Sequence, residues 1–175
     1  MAIDLLSIGF ALSFLGDPRV WIAVSIILFA SRMAFRFQKK QKLLWARAFI
    51  VFVGISMGLA FLSSYVLKDI YHLPRPCSSL PSGANYIADC PTDFSFPSGH
   101  ATTGFAAATG LFLISRKKLR GKAPIFYLVG ILPAIGRVLQ GVHTIADVAA
   151  GAVLGIVFSA VFYFVIIHLY NRFKK

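Results

Sequence analysis

The chain contains no glutamate, and only 14% of its 175 residues are charged. A soluble globular domain carries about 25%. That scarcity excludes an ordinary soluble enzyme as the default. It also excludes intrinsic disorder, which needs low hydrophobicity and abundant charge. Two cysteines are too few for a disulfide-scaffold protein or a cysteine-based zinc site. Acids are scarce too: six aspartates stand against 18 lysines and arginines, a net charge of +12. The first apolar stretch, Ala2–Leu15, has no basic residues before it, so it does not read as a cleaved signal peptide.

Apolar residues are what is abundant, at 58% with a mean hydropathy of +0.76. A membrane span takes about 20 such residues. The sequence therefore predicts an all-α, polytopic membrane bundle, a single domain over 1–175. Five spans are expected near 18–36, 47–71, 98–116, 123–140 and 145–170. The first is short and requires Arg32 to snorkel toward the headgroups. Residues 1–16 contain Asp4 and end at Gly16-Asp17-Pro18. They read as an interfacial helix, with a short or tilted sixth span as the alternative. Gly54 with Gly58, and Gly151 with Gly155, are spaced for close helix packing.

The basic residues sort by loop. Six lie between the first two spans, from Arg32 to Arg47; five lie between the third and fourth, from Arg116 to Lys122. Arg172, Lys174 and Lys175 close the chain. These 14 of 18 fall on one side, which the positive-inside rule makes cytoplasmic, together with the C-terminus. The basic balance is thus a topology signal and an attraction to anionic headgroups; no nucleic-acid partner is implied. The opposite, extracytoplasmic side holds Arg19, Lys68, Arg75, Arg137, all six aspartates, and a long loop over 72–97. That loop carries Cys77 and Cys90. An oxidising compartment favours a disulfide between them, and two free thiols remain the other reading.

Three outward segments put unusual polar residues at span ends: Lys68 to Pro76, Phe96 to His100, and Gly136 to Asp147. Each has a bland reading. Lys68 and Arg75 could anchor a helix at the headgroups, Ser98 could be an N-cap, and His143 with Asp147 could be an i, i+4 pair. Together, however, they offer three cations, two histidines, a carboxylate and a helix start on one membrane face, where ionisable residues default to function. That set suits a tetrahedral oxyanion such as phosphate. Arg75 and Arg137 can bind oxygens in a planar fork, and Lys68 adds a point charge. The amides of Ser98, Gly99 and His100 open a helix, where anions are favoured. Asp147, one turn from His143, can hold one ring nitrogen and make His143 the nucleophile. His100 is left as general acid and later base.

These segments resemble the three motifs of the type 2 phosphatidic acid phosphatase superfamily, which includes membrane lipid phosphatases and vanadium haloperoxidases. Lys68, Arg75 and Pro76 match the first motif. Pro97, Ser98, Gly99 and His100 match the second in full. Arg137, His143 and Asp147 match the third, with Gly136 where a serine is usual. The resemblance implies the same division of roles, with Lys68, Arg75, Ser98, Gly99 and Arg137 holding phosphate. It implies an all-helical core, and no metal or other cofactor.

The function expected is removal of phosphate from a lipid at the outer leaflet through a phosphohistidine. The narrower expectation is a polyprenyl diphosphate phosphatase. Phosphatidylglycerophosphate, phosphatidic acid or a lipid A phosphate are alternative substrates. A lipid phosphotransferase and a non-catalytic lipid-binding protein are alternative functions; the last should lack one of His100, His143 and Asp147. His72, His168, Asp69, Phe94 and Phe96 are left without a catalytic role, although Asp69 adjoins Lys68 and could tune it.

Overall fold

A computed structural model describes residues 5–17, 19–20, 23, 40–79, 90–114, 121 and 123–173. Among them the fold is all-helical, without a strand. Five α-helices are bounded within the described residues, in order α1 (Leu5–Ser13), α2 (Lys40–Tyr71), α3 (Gly99–Ile114), α4 (Ala123–Leu139) and α5 (Ile145–Phe173). Two short 3-10 turns, Phe14–Gly16 and Pro76–Ser79, follow α1 and α2. Among the described residues, two stretches are long and apolar enough to cross a bilayer, Phe52–Ser79 and Ile145–Leu169. Helices α3 and α4 run for 16 and 17 residues, about 25 Å of rise each. The span expected over 18–36 lies almost entirely outside the described residues.

Helix α3 is the centre of the bundle. Ala101, Ala106, Ala107 and Ala108 are wholly buried, because α2, α4 and α5 all pack on it. Its small side chains set the closeness of that packing. A Cβ on Gly151 of α5 would stand 2.6 Å from Ser98 O, and one on Gly155 would collide with Thr102 O. This pair packs as its spacing predicts. For Gly54 and Gly58, no described atom lies within 4 Å of where their Cβ would be. Farther along the bundle, Phe52 stacks on Phe162 with ring centroids 5.3 Å apart.

Pro133 lies inside α4 and has no N–H to return to the carbonyl of Val129. That carbonyl rests against Gly104 of α3, 2.8 Å from the position of a Cβ there. The buried hydroxyls of Ser56, Ser64, Thr102 and Thr103 donate to carbonyls three or four residues back in their own helices. These four hydroxyls are satisfied locally in this way, while Ser159 Oγ on α5 is buried without a partner among the described residues.

The C-terminal ends of α2 and α4 and the N-terminal ends of α3 and α5 meet at one end of the bundle. Ser98 N–H donates to Asp147 O at 3.0 Å, and Arg75 reaches Val142 O at 3.0 Å. Helix α1 lies across α4 at the same end, its Gly9 against Gly136.

Candidate active site

The loop between α4 and α5 is pinned at both ends. Helix α4 closes in a Schellman motif: Gly141 adopts φ 68°, its N–H donates to Val138 O at 2.9 Å, and Val142 N–H donates to Arg137 O at 3.3 Å. Helix α5 opens in a reciprocal capping arrangement. Thr144 N–H donates to Asp147 Oδ2 at 2.7 Å, and Asp147 N–H donates to Thr144 Oγ1 at 3.1 Å. His143 sits between these fixed ends and is 3% exposed.

Both ring nitrogens of His143 have defined neighbours. Nδ1 lies 3.5 Å from Asp147 Oδ2 and 3.5 Å from Ser95 Oγ, and the Ser95 hydroxyl itself donates to Asp147 Oδ2. Nε2 lies 3.1 Å from Arg75 Nη1. A guanidinium only donates, so Nε2 presents its lone pair and the ring proton belongs on Nδ1, toward the carboxylate. Burial, the largest influence, pushes the His143 pKa down to about 4; Asp147 opposes this, while Arg75, Arg137 and Lys68 reinforce it. A neutral imidazole with an oriented lone pair can act as a nucleophile.

Lys68, Arg75 and Arg137 converge around this ring. Lys68 and Arg75 are buried and share one carboxylate. Lys68 Nζ lies 2.8 Å from Asp93 Oδ2 and also bonds Phe94 O. Arg75 Nη2 lies 2.7 Å from Asp93 Oδ1, and its Nε donates to Asp93 O at 2.9 Å. Partial burial works to raise the Asp93 pKa, but Lys68 and Arg75 outweigh it and hold it below the usual carboxylate range. Asp69, adjacent to Lys68 in sequence, is exposed; the partner of Lys68 is Asp93. Arg137 donates from Nη1 to Gln140 Oε1 at 2.7 Å, and its Nε is buried without a partner among the described residues.

The second segment differs in part from expectation. Ser98 is fully buried, and its amide is taken by Asp147 O. That leaves Gly99 and His100 to supply the free N–H groups of the α3 start. The nearest described atom to a Gly99 Cβ would be Phe61 Cε2 at 3.4 Å, an ordinary contact, so protein packing does not demand glycine there. His100 lies within electrostatic reach of His143, Arg137 and Asp17.

Cys77 and Cys90 are joined by a disulfide, with Cα atoms 5.9 Å apart. His72 and Phe94 meet edge to face at 4.5 Å, as do Tyr71 and Phe96 at 5.2 Å. These rings fasten the loop to the end of α2. Among the described residues no cluster of three or more His, Cys, Asp or Glu side chains could hold a metal ion.

Sequence reasoning missed Asp93, Ser95, Gln140 and Gly141. Gly directly after a helical pattern signals a C′ residue, and Thr-x-x-Asp before an apolar run resembles a capping box, so Gly141 and the Thr144 cap were findable. Asp93 and Ser95 carried no such signal, because their partners lie 18 to 52 residues away.

Residues 49–171 match the sequence profile of the PAP2 superfamily. The chain is 32% identical over 149 residues to the undecaprenyl-diphosphatase of Sulfolobus acidocaldarius, covering 82% of this chain and 62% of that protein. It is 29% identical over 118 residues to the bacitracin transport permease protein BcrC of Bacillus licheniformis, covering 67% and 55%. The chain thus spans little more than half the length of these curated relatives. The crystal structure of Aquifex aeolicus LpxE matches the fold with a TM-score of 0.68 at 24% identity, covering 91% of this chain and 85% of that one. A PAP2-type phosphatidylglycerolphosphate phosphatase from Bacillus subtilis matches with the same TM-score at 20% identity, covering 91% and 75%.

Proposed function

The chain belongs to the PAP2 superfamily, and from that premise we propose that it is a membrane lipid phosphate phosphatase working through a phosphohistidine. One observation carries the reading: a buried imidazole, His143, has Nδ1 beside Asp147 and Nε2 turned to a cluster of cations. Lys68, Arg75 and Arg137 take the phosphoryl oxygens, with the Gly99 and His100 amides at the α3 start. Nε2 of His143 forms a bond to phosphorus as the bond to the leaving oxygen breaks. His100 gives that oxygen its proton. Asp147 stabilises the cationic ring. Water then attacks phosphorus, its proton passes to His100, the N–P bond breaks, and inorganic phosphate leaves with both histidines restored.

Arg75 moves its Nη1 from His143 to a phosphoryl oxygen as substrate enters, which uncovers the attacking lone pair. Asp93 holds Lys68 and Arg75 in place for that exchange.

The substrate proposed is a polyprenyl diphosphate, cleaved at its terminal phosphate on the extracytoplasmic face, with the C-terminus cytoplasmic. The basic loops support the topology. The likeness to a protein named undecaprenyl-diphosphatase supports the substrate.

The test is phosphate release by detergent-purified protein in EDTA, from a polyprenyl diphosphate, phosphatidylglycerophosphate and phosphatidic acid. Release led by the diphosphate and abolished by His143→Ala is expected. A different rank order would overturn the substrate, and a strict divalent-ion requirement would overturn the mechanism. No release from folded protein would overturn the phosphatase reading.

A further inference from the structure

Gln140 belongs to none of the three motifs, yet it is only 1% exposed and every polar atom of its amide is used. Oε1 accepts from Arg137 Nη1 at 2.7 Å. Nε2 donates to Ser13 Oγ at 3.1 Å. The Ser13 proton goes on to Phe10 O at 3.0 Å. Because Arg137 can only donate, the orientation of the Gln140 amide is determined, and each later link follows with consistent donor and acceptor. The relay runs from the site into α1, 127 residues away in sequence.

The relay holds Arg137 by one corner. With Nη1 engaged, the edge formed by Nε and Nη2 remains, and its two N–H bonds point the same way. That is the edge that grips two oxygens of one phosphate. Nε on it is buried without a protein partner among the described residues. A donor left unpaired inside a protein is costly and points to a ligand.

Glycines let α1 come close enough for this. A Cβ on Gly136 would stand 2.6 Å from Gly9 O and 2.7 Å from Ser13 N. One on Gly16 would stand 2.5 Å from Pro133 Cβ and 2.9 Å from His100 O. Helix α1 and its turn therefore touch the backbone of both segments that carry the phosphate site.

We propose that Gln140 and Ser13 are positioning residues for Arg137, so that α1 is a built-in part of the phosphate site. The proposal rests on the phosphate-site reading above. It assigns α1 a role at the reacting group in addition to any contact with the membrane interface.

The experiment is a double-mutant cycle read by orthovanadate affinity, with phosphate release measured in parallel. Gln140→Leu keeps side-chain size and removes the amide. It should weaken vanadate binding by about tenfold to a hundredfold, the range for losing a hydrogen bond to a charged group. Ser13→Ala should weaken it less and in the same direction. In an Arg137→Ala background, Gln140→Leu should change affinity by less than about twofold. Equal losses in both backgrounds, or a Gln140→Leu protein with wild-type affinity, would overturn the proposal. Packing damage alone would give such equal losses, so the cycle separates positioning from structural support. If the wild type binds vanadate and releases no phosphate, the phosphatase reading fails while the cycle still decides the relay. If it does not bind vanadate, both fall.

Discussion

Restoring serine at position 136 should damage the protein. Where the third motif usually carries serine, this chain has Gly136, so Gly136→Ser looks like a repair. The structure says otherwise. The new Cβ would lie 2.6 Å from Gly9 O and 2.7 Å from Ser13 N, both backbone atoms of α1. Neither can yield by a rotamer change, so the helix itself has to retreat. Reaching 3.4 Å, the near edge of ordinary van der Waals contact, takes about 0.8 Å of movement. Ser13 moves with the helix. Its 3.1 Å bond to Gln140 then lengthens to about 3.9 Å, beyond hydrogen-bond range. Overpacking of this kind costs about 1–3 kcal/mol, and the loss of the relay weakens the site in addition. Thermal unfolding in detergent should therefore shift down by several degrees, and vanadate affinity should fall as it does in Gln140→Leu. A Gly136→Ser protein as stable and as active as the wild type would refute the close approach of α1 and α4.

Three further outcomes follow from the geometry. His143 should titrate near 4 in an NMR titration of the ligand-free protein, because burial favours its neutral form. The sign follows: the unfolded chain takes up a proton near 6.5 and the folded one near 4, so this group costs stability as pH falls through that window, and a folded-state value of 6.5 would contradict the burial. Ser95→Ala removes the hydroxyl that bonds Asp147 beside His143; kcat should fall about tenfold with KM nearly unchanged, and an unaltered kcat would dismiss Ser95 from the site. Asp93→Asn weakens the hold of the shared carboxylate on Lys68 and Arg75; vanadate binding should weaken by about tenfold, the scale of one lost hydrogen bond to a charged group, whereas tighter binding would show that the charge of Asp93 outweighs its positioning of the two cations.

The reach of the sequence depended on distance along the chain. His143 and Asp147 are four residues apart at a helix start, so their pairing follows from helical geometry. Lys68, Arg75 and Arg137 were legible because cations at span ends are few and costly. Gly151 and Gly155 were legible as a packing pair, but Gly54 and Gly58 have the same spacing and no described neighbour. Spacing identifies a small face; only the fold says whether another helix meets it. The same limit hid Asp93. Aspartate beside Lys68 suggested Asp69, yet Asp69 points away from the bundle on the exposed face, and the loop carries Asp93 to both cations instead.

Position 136 carries this furthest. In sequence, glycine there reads as the loss of one hydroxyl from a phosphate site. In the fold it is the condition for α1 to lie against α4, and that contact brings the Ser13 hydroxyl to Gln140 and, through Gln140, to Arg137. The hydroxyl that supports Arg137 through Gln140 comes instead from Ser13, 127 residues from Gln140. The departure and the relay stand or fall together: if α1 sits where it does to support Arg137, glycine at 136 and glutamine at 140 are required jointly. In vanadate affinity, Gly136→Ser combined with Gln140→Leu should then be little worse than Gln140→Leu alone, because both break the same Ser13–Gln140 link, and additive losses would refute the joint requirement.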